Sequence, residues 1–451
     1  MKEPISLYEY EDGLRFYLVN CGAGLTHLII FPDDTVMLYD CNLVDDDDHT
    51  ERNKEYILDL FSEVLPFKYD DDGVKKQYID IFVNSHRDTD HLKGLKDVNQ
   101  KFQIHSIWDS GQSGANIDNP DYKYYMSLRN TLKGKSKENL VVPTPSDGVF
   151  KSYGDAEIYV LSDANEFIAK EDVVLFEAAD KVQHQNCMVL LICYKGRKML
   201  MTGDSGWDAW RDNIVPNFED ASVNYENTDI LIASHHGSRT FFTGKEEIDE
   251  KKYPEDTYTD SIRLINPTIT LISCAEYEYK GYHHPNEDAV KLYKENSCYE
   301  QVYTTNSYGT FCGFIDKYGN YSVTPRCFIN CGNARRGQNV WISCVTDKGE
   351  DVENGDYLPV GRKLTFTLHD MGKVLNDADN PKVIWQVCNA EYCNKGGNHE
   401  IYYKGKDEKD GKYQFTRDLS FVGTHLLRCE VQNKQKKFIQ QIVFIIHGTE
   451  E

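Results

Sequence analysis

The sequence predicts an α/β region of mixed sheets covered by helices over residues 1–325, followed by an all-strand sandwich over residues 326–451. Three observations predict it. Short apolar runs alternate with helix-like stretches up to Pro325, whereas beyond it seven strand-like runs succeed one another at turn-rich spacing. The charge changes at the same place. From Arg326 onward there are 18 basic and 17 acidic residues, a net of +1, which leaves 32 against 56, a net of −24, in residues 1–325. Two chemically different domains are implied.

Within the first domain the runs LRFYLVN, THLIIF and TVMLYD are separated by Gly22-Ala23-Gly24 and Pro32-Asp33-Asp34, which reads as adjacent hairpins. Isolated apolar runs follow: YIDIFVNSH, QIHSIWDSG, EIYVLS, CMVLLICY, KMLMTGD, DILIASHH and ITLISC. Helical stretches such as NKEYILDLFSEVL and EDAVKLYKEN lie between them. The last strand of this part, in YGTFCGFIDKYGNYSV, ends at Thr324-Pro325. The acidic runs Asp45–Asp48 and Asp70–Asp72 read as solvated loops. The second domain offers NVWISCV, KLTFTLHD, KVIWQVCN, EIYYKG, KYQFTRDLS, THLLRCEV and FIQQIVFII, a pattern that is immunoglobulin-like in style. Trp385 and Cys429 take the positions of core residues in it, and no catalytic cluster occurs there.

Composition excludes several function classes. With 40% hydrophobic and 27% charged residues in 451, the chain can bury a core in each domain. A net charge of −23 argues against gripping nucleic acid through a broad basic face. There is no signal-peptide-like start and no apolar run of membrane-spanning length, so the expected compartment is the cytoplasm, with no membrane partner. The 13 cysteines contain no CxxC pair, and Cys327 with Cys331 has no second pair to complete a zinc knuckle, which fits reduced thiols.

The chemistry sits where apolar runs end. IFVN is followed at once by Ser85-His86-Arg87-Asp88-Thr89-Asp90-His91, placing four potential ligands in six positions. An extended strand cannot aim all four at one point, but a tight loop can, and two imidazoles with two carboxylates suit divalent metals. Met201-Thr202-Gly203-Asp204 supplies another acid at a strand end, with glycine beside it for close backbone approach, and Ser234-His235-His236-Gly237-Ser238 follows DILIA. Singly each has a plain reading: Asp204 as a helix cap, the histidines as surface groups. Together they read as a metal site. Arg87, Lys93, Ser238 and Arg239 are candidate phosphate contacts, the first two equally readable as solvated surface.

SHRDTDHLKG resembles the first motif of metallo-β-lactamase-fold hydrolases, in the variant where aspartate replaces the usual second histidine. That variant is similar to the cytosolic hydrolase domain of the competence protein ComEC and to bacterial phosphorylcholine esterases. NCGAGLTHLIIFPDDTVMLYDC resembles the opening hairpins, NCMVLLICYKGRKMLMTGD the middle strands and bridging aspartate, TDILIASHHGS the late histidine motif, and His284-Pro285 a final His-Pro step. The opening departs from the ComEC-type GQGD turn, with Ala23 and Leu25 in place of its polar residues. The resemblance implies an αββα sandwich and two divalent ions, zinc or manganese. His86 and Asp88 would hold one, Asp90, His91 and His236 the other, with Asp204 bridging. It further implies that Asp88, Asp90 and His235 act in catalysis and that His284 contacts substrate phosphate, with Ser238 kept as a candidate substrate contact by its place beside the late histidines.

In the second domain LPVGRKLTFTLHD, NPKVIWQVCN and LSFVGTHLLRCEVQ resemble the small C-terminal sensor domain found with adenylyl and guanylyl cyclases and SMODS nucleotidyltransferases in bacterial antiphage systems. Where that family has a Leu-Arg-Gly step, this chain reads GGNHEIYY. The joint expectation is a phosphodiester hydrolase acting on nucleic acid or a nucleotide, with a nucleotide second messenger as partner of the C-terminal domain. Oligomeric state stays open. The alternatives are a small-molecule phosphoester hydrolase of the phosphorylcholine esterase type and a non-enzymatic metal-bound scaffold.

Overall fold

The computed structural model describes residues 13–44, 52–69, 73–111, 118–162, 187–219, 221–275, 281, 283–325, 340–370, 382–389, 399–404, 413–420, 422–432 and 438–450. The acidic runs at 45–48 and 70–72, the Cys327 and Cys331 pair and the start of GGNHEIYY lie outside them. The chain divides into two units, one containing Glu11–Asn306 with Phe311–Val323, the other Ser307–Thr310 and Thr324–Glu451.

The first unit is a mixed α/β body with two large sheets. In spatial order the first sheet runs Tyr321–Pro325, Phe311–Asp316, Gly13–Leu18, Thr26–Ile30, Val36–Cys41, Ile79–Asn84, Ile104–Asp109 and Leu140–Val141. The opening strands pair antiparallel, as the hairpin reading expects. From Val36–Cys41 onward the pairs are parallel, which demands crossovers. Helix Lys54–Val64 makes the first. Asn53 caps it by accepting from the Glu55 amide at 2.9 Å, and it stops at Leu65, whose extended backbone (ψ 135°) is what a following proline imposes. Its Ile57, Leu60 and Phe61 face the core.

The second sheet runs Val302–Thr304, Ile269–Ile272, Ile230–Ile232, Arg197–Met201, Leu190–Tyr194, Ala156–Val160 and Lys151–Tyr153, parallel across its first four strands. Helix Glu287–Asn296 buries Ala289, Val290 and Tyr293, and Tyr293 stacks on Phe241 at 5.8 Å between ring centroids, over a core that includes Trp210 and Phe242. Near their C-terminal ends the sheets are tied together: Met188 N donates to Ser85 O at 2.8 Å, and Tyr39 OH donates to Met188 O at 2.5 Å. This is the edge on which ligands collect in parallel sheets.

One helix carries no clear sequence signal. Pro120–Lys135 begins with Asn119 as cap and proline at its first position, yet buries only Tyr122, Tyr125 and Leu132. So sparse an apolar stripe gives little helical periodicity, and the tyrosines read equally well as strand residues.

In the C-terminal unit all seven expected runs are strands, joined by short Asp351–Val352 and Asp356–Pro359. They form a four-stranded and a five-stranded sheet. Ile342, Leu364, Phe366 and Phe415 from the first share one core with Trp385, Val387, Cys429 and Phe444 from the second. Trp385 and Cys429 are register partners, both fully buried, and Trp385 stacks on Phe415 at 5.8 Å. They are core residues, as their sequence positions suggest. Among the described residues, no helix is long and apolar enough to cross a membrane.

Candidate metal centre

Strand Ile79–Asn84 ends in a turn that presents Ser85 to His91. The turn is fixed from behind by Asp40, whose own backbone is left-handed (φ 56°) and whose side chain is fully buried. Asp40 Oδ1 accepts from Ser85 N at 2.8 Å, and Oδ2 accepts from Ser85 Oγ at 2.5 Å and lies 2.7 Å from His91 Nδ1. Ser85 Oγ is also 3.0 Å from His86 Nδ1. One carboxylate therefore orients His91 directly and His86 through a hydroxyl. With Nδ1 donating, each imidazole keeps its Nε2 lone pair for a cation.

Those Nε2 atoms converge on Asp204, which follows strand Arg197–Met201. Asp204 Oδ2 lies 3.6 Å from His86 Nε2, 3.3 Å from His91 Nε2, 3.7 Å from His235 Nε2 and 3.8 Å from His236 Nε2. Gly203 permits the approach. Its backbone is left-handed (φ 51°), and a Cβ there would stand 2.3 Å from Cys187 Sγ and 3.0 Å from the Tyr39 hydroxyl.

The third cluster is held by strain. His235 (φ 47°), His236 (φ 55°) and Gly237 (φ 77°) are successive left-handed residues, and for the two histidines this costs on the order of 1–2 kcal/mol each. The reverse twist aims both rings inward. His236 Nδ1 is 3.0 Å from Ser273 O, and its Nε2 is 3.5 Å from Asp90 Oδ2. His235 Nδ1 is 2.7 Å from Thr240 Oγ1.

Two groupings result. Asp88 Oδ2 lies 3.3 Å from His86 Nε2, whereas Asp90, His91 and His236 offer ligand atoms all within 4.8 Å of one another. Asp40, His86 and His91 also meet that distance, but Asp40 already accepts from Ser85 twice and faces the Nδ1 side of His91, so it orients ligands rather than joining them. His91 Nε2, His236 Nε2 and Asp204 Oδ1 are buried without a hydrogen-bond partner among the described residues. Orphaned polar atoms gathered around one point, with imidazole and carboxylate chemistry, fit divalent cations.

The electrostatics agree. Burial acts to raise the Asp204 carboxyl, but His91, His235, His236 and His86 hold it well below the usual range. Burial acts to lower His91, yet Asp204 and Asp40 raise it well above an ordinary imidazole.

Of the other expected contacts, Arg87, Ser238 and Arg239 are engaged elsewhere. Arg87 is no solvated or phosphate-facing side chain: it is buried, and NH2 donates to both oxygens of Asp109 at 2.9 and 3.2 Å. Ser238 is also buried, its hydroxyl accepting from Thr240 N at 3.2 Å and from Thr240 Oγ1 at 3.1 Å, so it caps the turn Arg239–Phe241. Arg239 pairs with Asp288 at 3.2 Å, and Lys93 is exposed. His284 lies against the centre, 5.1 Å from the His235 ring and 6.5 Å from that of His236, and burial, then His236, lowers it to about 4. Asp40, Ser85, Cys187 and Thr240 lack a sequence signal for their roles, because all four act behind the ligands.

No family model and no curated protein matches the sequence. Partial structural likenesses are found to CmlA, a diiron β-hydroxylase from Streptomyces venezuelae (TM-score 0.34, 12% identity, 63% of this chain and 51% of that one). Others are to an archaeal metallo-β-lactamase superfamily protein from Sulfolobus tokodaii (0.21, 10%, 42% and 62%) and to rubredoxin oxygen:oxidoreductase from the anaerobe Desulfovibrio gigas (0.23, 13%, 43% and 39%). The chain covers less than two thirds of each, and overlaps this partial carry no functional inference.

Proposed function

We propose that this chain is a dinuclear-metal-dependent phosphodiester hydrolase of the metallo-β-lactamase fold, a nuclease or nucleotide phosphodiesterase. It would act in the cytoplasm in bacterial antiphage defence, with an immunoglobulin-like C-terminal domain that senses a nucleotide. The observation that carries the reading is the convergence of His86, His91, His236 and Asp204 from three strand ends, with unpartnered ligand atoms on His91, His236 and Asp204. The aspartate-rich SHRDTDH motif supports the phosphodiesterase side, and the resemblance of LPVGRKLTFTLHD and LSFVGTHLLRCEVQ supports the sensor.

In this reading His86 and Asp88 would hold one ion and Asp90, His91 and His236 the other, with Asp204 available to both. Zinc or manganese held there would supply Lewis acidity toward a water and a phosphate diester. His235, with Nδ1 tied to Thr240, keeps Nε2 on the centre to hold or deliver a proton at the leaving oxygen. His284, neutral at pH 7, offers a hydrogen bond to substrate phosphate beside it. The net charge of the domain does not oppose a polyanionic substrate at this range, since local cations set the field.

The test is metal content by inductively coupled plasma measurement, with bis-p-nitrophenyl phosphate, single-stranded DNA and RNA assayed side by side in manganese and zinc. About two ions per chain with diester cleavage is the expected result. No metal after reconstitution would remove the enzyme reading. Thermal shift of the full chain against mono-, di- and cyclic nucleotides tests the sensor, which binding would stabilise by mass action.

A further inference from the structure

Cys187 is a fully buried thiol, placed just before strand Leu190–Tyr194, for which the catalytic reading has no use. Its sulfur accepts the backbone N–H of Asp204 at 3.0 Å and stands 3.7 Å from His86 Nδ1. Gly203 lacks the Cβ that would meet this sulfur at 2.3 Å, so the chain leaves room for a large acceptor at that point. The next residue, Met188, bonds through its backbone to Ser85 and Tyr39, so the thiol stands on the seam between the two sheets.

We propose that Cys187 is a positioning residue of the metal centre, setting the backbone of Asp204 relative to the His86 ring; this rests on the dinuclear reading above. A thiol that only filled space would behave as a small hydrophobe. Here the sulfur accepts an N–H from the residue expected to bridge both ions and lies near the non-ligand nitrogen of another expected ligand. Ser85 Oγ lies 3.0 Å and Cys187 Sγ 3.7 Å from His86 Nδ1. Both neighbours can accept Nδ1–H, which keeps Nε2 turned to the centre.

The full-length protein, stripped by chelator, is titrated with cobalt(II) and read by chelator competition and by its visible absorption. Wild type binding about two cobalt ions establishes the centre; failure at this step overturns the dinuclear reading itself. Cys187→Ser and Cys187→Ala, similar in volume, then differ in the hydroxyl, which keeps an acceptor at this point. The serine variant is expected to stay close to wild type. The alanine variant is expected to lose roughly 10–100-fold in metal affinity and to shift the cobalt absorption. Equal behaviour of the two variants, or an alanine variant indistinguishable from wild type, overturns the proposal. Should Cys187→Ala fail to fold, Cys187→Val, which fills the volume without an acceptor, takes its place under the same criterion.

Discussion

Asp40 and His91, both fully buried and 51 positions apart, meet through a 2.7 Å contact between carboxylate and Nδ1. The same carboxylate receives Ser85, whose hydroxyl reaches His86. Asp40→Asn puts an amide where only acceptors fit, so both imidazoles lose their orientation together. Metal affinity should fall by roughly 10–100-fold or more while the protein stays folded. A cobalt titration with unchanged affinity would show that the rings are held by other means.

The adjacent histidines should separate in their effects. His236 is backed by Ser273 O and faces Asp90, whereas His235 is tied through Nδ1 to Thr240; the proposed function makes the first a ligand and the second a substrate-facing group. His236→Ala should lose metal. His235→Ala should keep it and lose rate, by about 10²–10⁴. Metal analysis with single-turnover rates on a generic diester distinguishes them, and the reverse pattern would exchange the two roles.

Arg87 sits between two expected ligands and is pinned by Asp109, which also bonds Arg129 on helix Pro120–Lys135. Asp109→Asn leaves a buried guanidinium without its counter-charge and should destabilise the fold by about 3–5 kcal/mol. Burial acts to raise the Asp109 carboxyl, but Arg87 and Arg129 lower it. Its contribution is therefore present above the unfolded value of ~3.9 and lost as pH falls through its lower folded value. Acid unfolding followed by circular dichroism should show a flatter limb in the variant. An identical limb would mean that the pair does not act as an ion pair.

Metal and protons should compete. His91 is raised in the metal-free protein, so its imidazolium stabilises the fold fully below about pH 6.5 and this contribution is lost as pH rises through the raised value. With chelator present, Tm should drop as pH rises above that range. Saturating manganese or zinc should abolish the drop, because a cation then balances Asp204 in place of the proton. Equal pH slopes with and without metal would contradict a shared site.

The sequence by itself determined the class of most elements, helix Pro120–Lys135 excepted, and named the candidates for ligands. Strand ends followed by SHRDTDH, TGD and SHHGS are local signals, since apolar runs name the strands and dense polar groups after them name the site. The seven sandwich strands, with Trp385 and Cys429 in the core, were legible for the same reason. What only the tertiary structure decided lies behind and beside the ligands. Asp40, Ser85 and Cys187 look like ordinary strand and loop residues until parallel pairing and the seam at Met188 bring them against His86, His91 and Asp204. Arg87 and Ser238 resemble phosphate contacts in the chain and become an ion pair and a cap in the fold. The physical reason is that a side chain's type is local, but whether its polar atoms face a cavity or a partner depends on segments tens to hundreds of residues away.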